Sequence, residues 1–555
     1  MKRRTCKAVG ACGLTLWFAA PVAGATFVVA PNGNDANPGT IAQPWKTIQH
    51  AANVVPSGSL VEVRAGIYKE LVTVTVSGNA TAGPVVFRPF PGEVAIFDGT
   101  GVTVPNADIG FFFIDGRDWI TIEGFEFRNL TTATAARTPI AIHIRGAAEH
   151  ITLRDNLIHD ITTTNANGNA HGIAIYADAV APVTSLVLDG NEIHSCKLGS
   201  SEAMAINGNV DGFLVIDNLV HDCDNIGIVM IGGEGTAPQP ALDRARNGRV
   251  ENNVVFTIDS LANPAYGGER SADGIYVDGG CCIEIDRNTV HHANLGIEIA
   301  SEHEGLYSEE VVITNNIVHG CHVAGISLGG YDTNVGGARL VTVVNNSLYR
   351  NDSDLTGSGE LMLQDDVSDC VVRNNILTAG TQAVIVSNPF THTQNVVINN
   401  NQHHTPAGAA AALYALNNVE YTGFAAWQSG TGQDAASHFG SPGFVAGGVS
   451  PDLHLKPSSV CIDAGLTSLL PGTAGLDRDG LLRVAGASVD RGAYEFGSVA
   501  PGLGDLSGDG VVDGADLALL LGVWGACVEC AEDFDGDGSV TSADLAILLG
   551  AWSAG

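Results

Sequence analysis

Residues 273–305 read DGIYVDGGCCIEIDRNTVHHANLGIEIASEHEG. One phrase occurs there twice, as Gly274-Ile-Tyr-Val-Asp278 and as Gly296-Ile-Glu298-Ile299, with Asn288-Thr-Val-His291 between the copies. Each phrase alternates apolar and polar residues, the period of two that marks a strand with one buried face. Ile275 and Val277 point to one side, Tyr276 and Asp278 to the other. In the second copy Ile297 and Ile299 point in and Glu298 points out. If the two strands stack in register, Glu298 lies beside Tyr276 and diagonal to Asp278. That arrangement sets two carboxylates on one exposed face, one coil apart.

The phrase belongs to a repeat. An Asn precedes an apolar pair at Asn156, Asn191, Asn218, Asn253, Asn288, Asn316, Asn346 and Asn375, at intervals of 27 to 35 residues. Two positions on, the residue is always apolar. Three positions on it is His at 159, 194, 221, 291 and 319, with Phe256 and Tyr349 substituting. A second strand follows in the same repeat, opening at Gly172, Gly227, Gly274, Gly296 or Gly325. Repeats of this length with several short strands predict a coil with one strand per face, whose stacked copies pair in parallel around one core. The Asn suits an inward turn position, where its amide bonds to the coils above and below. The His column reads as a structural ladder of rings on an outer face. Cys196, Cys223 and Cys321 share a place that Ile161, Ile258 and Ala293 hold in other coils, so they read as small core groups. The pattern resembles the right-handed parallel β-helix of pectate-lyase-like proteins, over roughly residues 26–445. The opening FVVAPNGNDANPGT…QPWKTIQHA resembles the start of many exported β-helix carbohydrate enzymes.

Six segments exceed the repeat minimum. Residues 164–171, 197–204 and 259–273 come before the Gly-Ile strand; 232–248, 300–310 and 329–338 come after it. Loops that crowd one face of a rigid stack are expected to wall a groove.

The ends of the chain differ from this body. Lys2, Arg3, Arg4 and Lys7, an apolar run over 8–22 and Ala23-Gly24-Ala25 predict a cleaved export signal over 1–25. No later segment reads as a transmembrane helix. Residues 26–30 read as a strand, PWKTIQHAANVV as an amphipathic helix covering the open end of the stack, and 59–64 as the first strand of the main body. From about residue 400 the repeat fades; 446–498 resembles the C-terminal β cap of exported β-helices, and 499–503 reads as a linker. Nine of the 11 cysteines lie beyond the export signal, an odd number that leaves at least one thiol without an internal partner. The net charge of −34 argues against nucleic acid as a partner and mildly against a polyanionic substrate.

Residues 504–555 hold two acidic loops, DLSGDGVVDGAD and DFDGDGSVTSAD, each followed by Leu-Ala-x-Leu-Leu-Gly-x-Trp. Calcium takes six or seven oxygens from fixed loop positions, with Gly at the turn. The first loop offers Asp505, Ser507, Asp509, the carbonyl of Val511, Asp513 and Asp516. The second offers Asp533, Asp535, Asp537, the carbonyl of Ser539, Thr541 and Asp544. Asp at the twelfth position and one helix per loop resemble a type I dockerin. The resemblance implies two Ca2+ ions, docking to a cohesin, and recognition positions at Gly514, Ala515, Ser542 and Ala543. Cys527 and Cys530 between the loops read as a local disulfide. The whole is expected to be an all-β, right-handed parallel β-helix solenoid with a C-terminal cap, followed by this small α-helical calcium-binding domain.

Three functions fit. The stretch around Asp278 and Glu298 resembles the nucleophile and acid/base strands of β-helix β-xylosidases, glycoside hydrolase family 120. By that resemblance Asp278 is the nucleophile and Glu298 the acid/base, and Asp273, Tyr276, Glu302, His303 and Glu304 are candidates for the substrate shell. Gly279 departs from the family, which tends to have Trp there. Two carboxyl groups held unequal in charge suffice for glycoside hydrolysis. A polysaccharide lyase or epimerase acting on uronates would instead need a base, with Lys197 and Arg270 as candidates. A non-catalytic carbohydrate-binding or surface protein is the third. The expected setting is extracellular, with a polysaccharide of plant or algal type or its oligosaccharides as substrate.

Overall fold

The computed structural model describes residues 24–469, 475–500, 502, 504–507, 511–526, 532–534 and 539–552. Residues 1–23 of the expected export signal, Asp509, Cys527, Cys530, Asp535 and Asp537 lie outside the described residues. The body is a parallel β-helix. Each coil gives one strand to each of three long sheets, and neighbouring coils pair in parallel. One full coil runs Cys281–Asp286, Thr289–His291, Leu295–Ala300. Strands of the first kind form the back sheet, those of the second the ring sheet, and those of the third the groove sheet.

The corner between back and ring sheets carries the ladder. The Nδ2 of each Asn donates to the Oδ1 of the next, from Asn156 to Asn375, at 2.9–3.2 Å. The same Nδ2 reaches a backbone carbonyl of the preceding coil, such as Val250 O from Asn288 at 2.9 Å. The ladder continues one coil further than the sequence repeat, to Asn401, and ends on Asp434 and the hydroxyl of Ser437. The residue before each ladder Asn is left-handed, for example Asp155 at φ 53°, Asn315 at 55° and Asn374 at 57°. Asp, Asn and Gly tolerate that region best, which explains their run at this place.

The His column is a stack of rings on the ring sheet. His159, His194, His221, Phe256, His291 and His319 lie face to face with centroids 4.7–5.0 Å apart. Cys196, Cys223 and Cys321 are buried free thiols in the core, as expected.

The structure also departs from the sequence reading. The solenoid begins at Thr26–Val29, which pairs in parallel with Leu60–Val63, so the latter is not the first strand. The helix Ile48–Val54 buries Ile48, Ala51 and Ala52 against the open end. Coils before residue 150 carry no ladder because Phe125 holds the place of Asn156. There Phe97 packs on Phe111, Phe112, Phe125 and Phe127. The far end is closed by the antiparallel hairpin Leu413–Leu416 with Val419–Thr422 and the helix Phe424–Thr431. The described residues of the expected cap, 446–469 and 475–498, are therefore not an end cap. They run back along the outside of the corner, where Asn315 donates to Leu476 O, Asn345 to Asp490 O and Asn374 to Leu466 O. The buried Arg483 holds this strap together by donating to the carbonyls of Asp490, Gly492 and Ala493.

In the terminal segment the helices Gly514–Gly522 and Ser542–Gly550 pack through Val512, Leu520, Val540 and Leu548. Each starts with a capping box. Asp516 accepts from the N–H groups of Ser507 and Asp513, and Asp544 from those of Phe534 and Thr541.

Replacing Asn288 by Ala would leave the Asn253 amide and the Val250 carbonyl buried without partners. We expect a loss of about 3 kcal/mol or more, read as a lowered melting temperature. His194→Ala, at a partly exposed ring, should cost no more than about 1 kcal/mol.

Candidate active site

The groove sheet carries the alternation read from the sequence. Tyr276 is in register with Glu298, and Asp278 with Ala300. Ile275, Val277, Ile297 and Ile299 face the core. The outer face is not exposed, however: Asp278, Tyr276 and Asp273 are 5%, 4% and 2% exposed. The loops on both sides fold over it. Only Glu298 among the four keeps part of its surface open.

One wall is built from 232–248 and 300–310. Arg244 locks it by donating to Gly279 O at 3.0 Å, Gly280 O at 3.1 Å and Tyr307 O at 2.7 Å, with an ion pair to Glu309 at 2.9 Å. Gly279 sits at φ 73° with Gly232 O only 2.6 Å from where a Cβ would be, so a Trp cannot follow Asp278 here. The opposite wall, 259–272, is pinned by asparagines. Asn263 donates to Gly199 O and Asp224 O, and Asn225 to Gly199 O and Ser201 O.

Glu298 is the most supported carboxylate. Its Oε1 accepts from Ser327 Oγ at 3.0 Å and Gln364 Nε2 at 2.5 Å, and the Asp273 carboxyl is hydrogen-bonded to it. Burial lifts Glu298 to about 7, against the lowering pull of those three donors. Asp278 has one donor, the Glu302 N–H at 2.8 Å. Burial, then the charge of Glu302, drives Asp278 well above the usual carboxylate range. Asp273 rises likewise through burial and Glu298.

Of the residues singled out in the sequence, Asp273, Tyr276, Asp278, Glu298 and Glu302 meet around this floor. His303 lies on the wall, with its ring against Gly233 and its Nε2 buried without a partner. Glu304 is exposed on the loop and enters none of these contacts. Five participants escaped the sequence reading. Glu202 is lifted to about 8 by burial and by Glu234, Glu302 and Asp278. Glu234 accepts from Asn207 Nδ2 at 2.5 Å. Tyr266 and Tyr331 come from opposite walls, and the charge of Glu302 acts on both hydroxyls. Gln364 reaches Glu298 from two coils on. Glu202, Glu234, Tyr266 and Tyr331 all lie in loops recognised as walls, so a search of those loops for acids and aromatics would have found them.

No Lys or Arg among the described residues pairs with Glu202, Glu234, Asp273, Asp278, Glu298 or Glu302. Lys197 is exposed on the turn that pairs with Thr162, and Arg270 is bound to Asp259 and Asp354. A separate cavity of about 580 Å³ lies among the early coils, lined by Arg88, Phe90, Glu123 and Arg154. Its arginines are paired with Glu62 and Glu123, and it is remote from the carboxylates.

Comparison with known proteins follows this geometry. Residues 27–218 match the model described as Pel9A-like, right handed beta helix region, and residues 263–426 match the right handed beta helix region. The protein YwoF of Bacillus subtilis (strain 168) is 38% identical over 431 residues, covering 78% of this chain and 91% of YwoF. The chain belongs to the YwoF family. Pectate lyase PEL9 of Emericella nidulans is 29% identical over 219 residues, covering 35% of this chain and 50% of PEL9. Among solved structures, the complex of XylC with xylose overlays with a TM-score of 0.43 at 13% identity, covering 68% of this chain and 75% of XylC. The solenoid is thus a pectate-lyase-like right-handed β-helix.

The raised carboxyls make stability fall with pH. Glu202 titrates near 4.5 when unfolded and near 8 when folded. Its contribution is complete below about pH 4.5 and is lost as pH rises through 8. Imidazoles such as His171, lowered to about 4 by burial, titrate below pH 7 in both states. The melting temperature should therefore drop between pH 7 and pH 9, and Glu202→Gln should make that drop smaller.

Proposed function

We propose that this YwoF-family protein is a glycoside hydrolase whose reacting groups are Asp278 and Glu298. The observation that carries the reading is a pair of carboxyl groups on adjacent coils, floored in a walled groove and given different hydrogen-bond partners. Hydrolysis needs one carboxyl to protonate the leaving oxygen and another, ionised, to attack or to activate water. Three donors favour charge on Glu298. Burial beside Glu302 favours a proton on Asp278. Asp278 is then the acid and Glu298 the nucleophile or base, the reverse of the roles implied by the resemblance to family 120.

A lyase is the second reading, favoured by the similarity to pectate lyase PEL9. It wants a basic side chain at the reacting carbon. The pairing of Arg270 and the position of Lys197 weigh against it. Incubation with a panel of neutral and uronate polysaccharides separates the two: reducing ends without unsaturated-uronate absorbance mean hydrolysis, and both signals together mean a lyase. Asp278→Asn and Glu298→Gln should each lower kcat by at least about a hundredfold. The acidic limb of kcat/KM should lie near pH 7. Gln364→Met removes a donor that lowers Glu298, so the limb should move to higher pH; an unmoved limb would count against Glu298 as the ionised partner.

The terminal segment is proposed as a calcium-dependent dockerin-like tether for a cohesin, and export is part of the same reading. Residues 504–555 carry ten Asp and Glu and no Lys or Arg. Asp516 and Asp544 are fully buried and Asp505 is 7% exposed. Acidic loops in a segment whose sequence contains no Lys or Arg fit a divalent cation. Asp505, Ser507, Asp509, Val511, Asp513 and Asp516 would hold one ion, and Asp533, Asp535, Asp537, Ser539, Thr541 and Asp544 the other. The ions would supply structural order and no catalysis. Gly514, Ala515, Ser542 and Ala543 are exposed on the first helical turns, as a docking face requires. Calorimetric titration of the full chain should give two calcium sites. Asp516→Asn and Asp544→Asn should each remove one.

A further inference from the structure

Beyond the reacting pair, the groove extends toward the N-terminal coils. Tyr176 and Asn207 are in register on the strands His171–Ala177 and Met204–Gly208, facing out of the groove sheet. Ile231 follows Asn207 in the next coil, and Asp278 lies one coil beyond. Asn207 is thus about 10 Å along the axis from Asp278, two strand spacings. Asn207 is fully buried, donates to Glu234 at 2.5 Å, and leaves its Oδ1 without a partner. The Oε2 of Glu202 is also buried without a hydrogen-bond partner, and His171 Nδ1 lies 3.6 Å from it. His171 gives its short contact, 3.1 Å, to the Glu202 backbone carbonyl instead.

Buried polar atoms without partners are rare and costly. One is an amide oxygen that can only accept and the other an oxygen of a carboxyl whose proton burial favours, and they lie in one groove beside Glu234 and Tyr176. We propose that Asn207, Glu202, Glu234 and Tyr176 form a subsite that binds one ring of a neutral, hydroxyl-rich saccharide next to the ring that reacts. Sugar hydroxyls supply the missing donors. They also accept from the Tyr176 hydroxyl. A uronate carboxylate can only accept, and it would bring a further negative charge beside Glu202, Glu234 and Glu302 with no cation to offset it. Tyr331, 58% exposed on the rim, offers a face for a ring leaving the groove. The position of this subsite beside the cleaved bond rests on the hydrolase reading; its preference for a neutral ring does not.

The test is calorimetric binding to the full chain carrying Glu298→Gln, so that titration runs without turnover. The probes are xylohexaose, cellohexaose, mannohexaose and tetragalacturonate. At least one neutral probe should bind, and tetragalacturonate should bind at least tenfold more weakly. Adding Asn207→Ala or, at the less buried position, Glu202→Gln should weaken the neutral probe about tenfold. Binding of no neutral probe, tighter binding of tetragalacturonate, or affinity unchanged in both variants would each overturn the subsite. Reducing-end release by the unsubstituted protein is scored separately. Neutral binding that depends on Asn207 without hydrolysis upholds the subsite and removes the hydrolase reading. Hydrolysis of a neutral probe with KM unchanged by both variants does the reverse.

Discussion

The fold depends on one buried amide per coil. A ladder Asn accepts at its Oδ1 from the N–H and the side-chain amide of the coil before it, and donates to the coil after it. Its remaining N–H goes to a backbone carbonyl. The side-chain atoms of each ladder amide are satisfied by the coils on either side, so a coil of different path would orphan two others. The corner therefore holds constant phase from Asn156 to Asn401. Insertions cannot be absorbed there. They are expelled to the two edges of the groove sheet, which is why rigidity at one corner and irregular walls at the opposite face belong together.

Those walls change the chemistry of what they cover. A strand-face carboxylate in water is an ordinary acid. Under the 232–248 and 300–310 loops, Asp278 loses its solvent and gains Glu302 as a neighbour, and its proton is held. Glu298, one coil on, keeps part of its surface open and has Ser327, Gln364 and Asp273 turned toward it. Two acids that alternate identically in sequence are thus made unequal by second partners from other coils. Arg244 in the wall is engaged by three carbonyls and Glu309, so it shapes the groove without pairing with its carboxylates.

Periodicity made the coil, the ladder, the ring column and the Asp278–Glu298 register legible, because each recurs at fixed spacing and each repeat restates it. What is stated once was not legible. Phe125 in place of an Asn hid the first coils, since a large apolar group fills the corner by packing and leaves no polar signature. The strap over 440–469 and 475–498 touches Asn315, Asn345 and Asn374 through main-chain carbonyls, which any sequence can supply. Glu202, Glu234, Tyr266 and Tyr331 come from loops of unrelated length, and only the path of each loop brings them over the floor. The burial of Asp278 was misjudged for the same reason: alternation tells which way a side chain points, not what lies above it.

The acid surplus of the groove carries the last consequence. Six carboxyl groups share it with no Lys or Arg partner among the described residues, and burial favours protons on several of them. A site balanced in this way already contains its proton donor, because deprotonation is what the environment opposes. The same balance resists any ligand that adds negative charge, since it would raise the cost of the one carboxylate, Glu298, that three donors keep available for charge. On the proposed reading, acid chemistry on a neutral substrate and exclusion of a polyanion would be two results of a single electrostatic arrangement, set by where the solenoid was allowed to grow its loops.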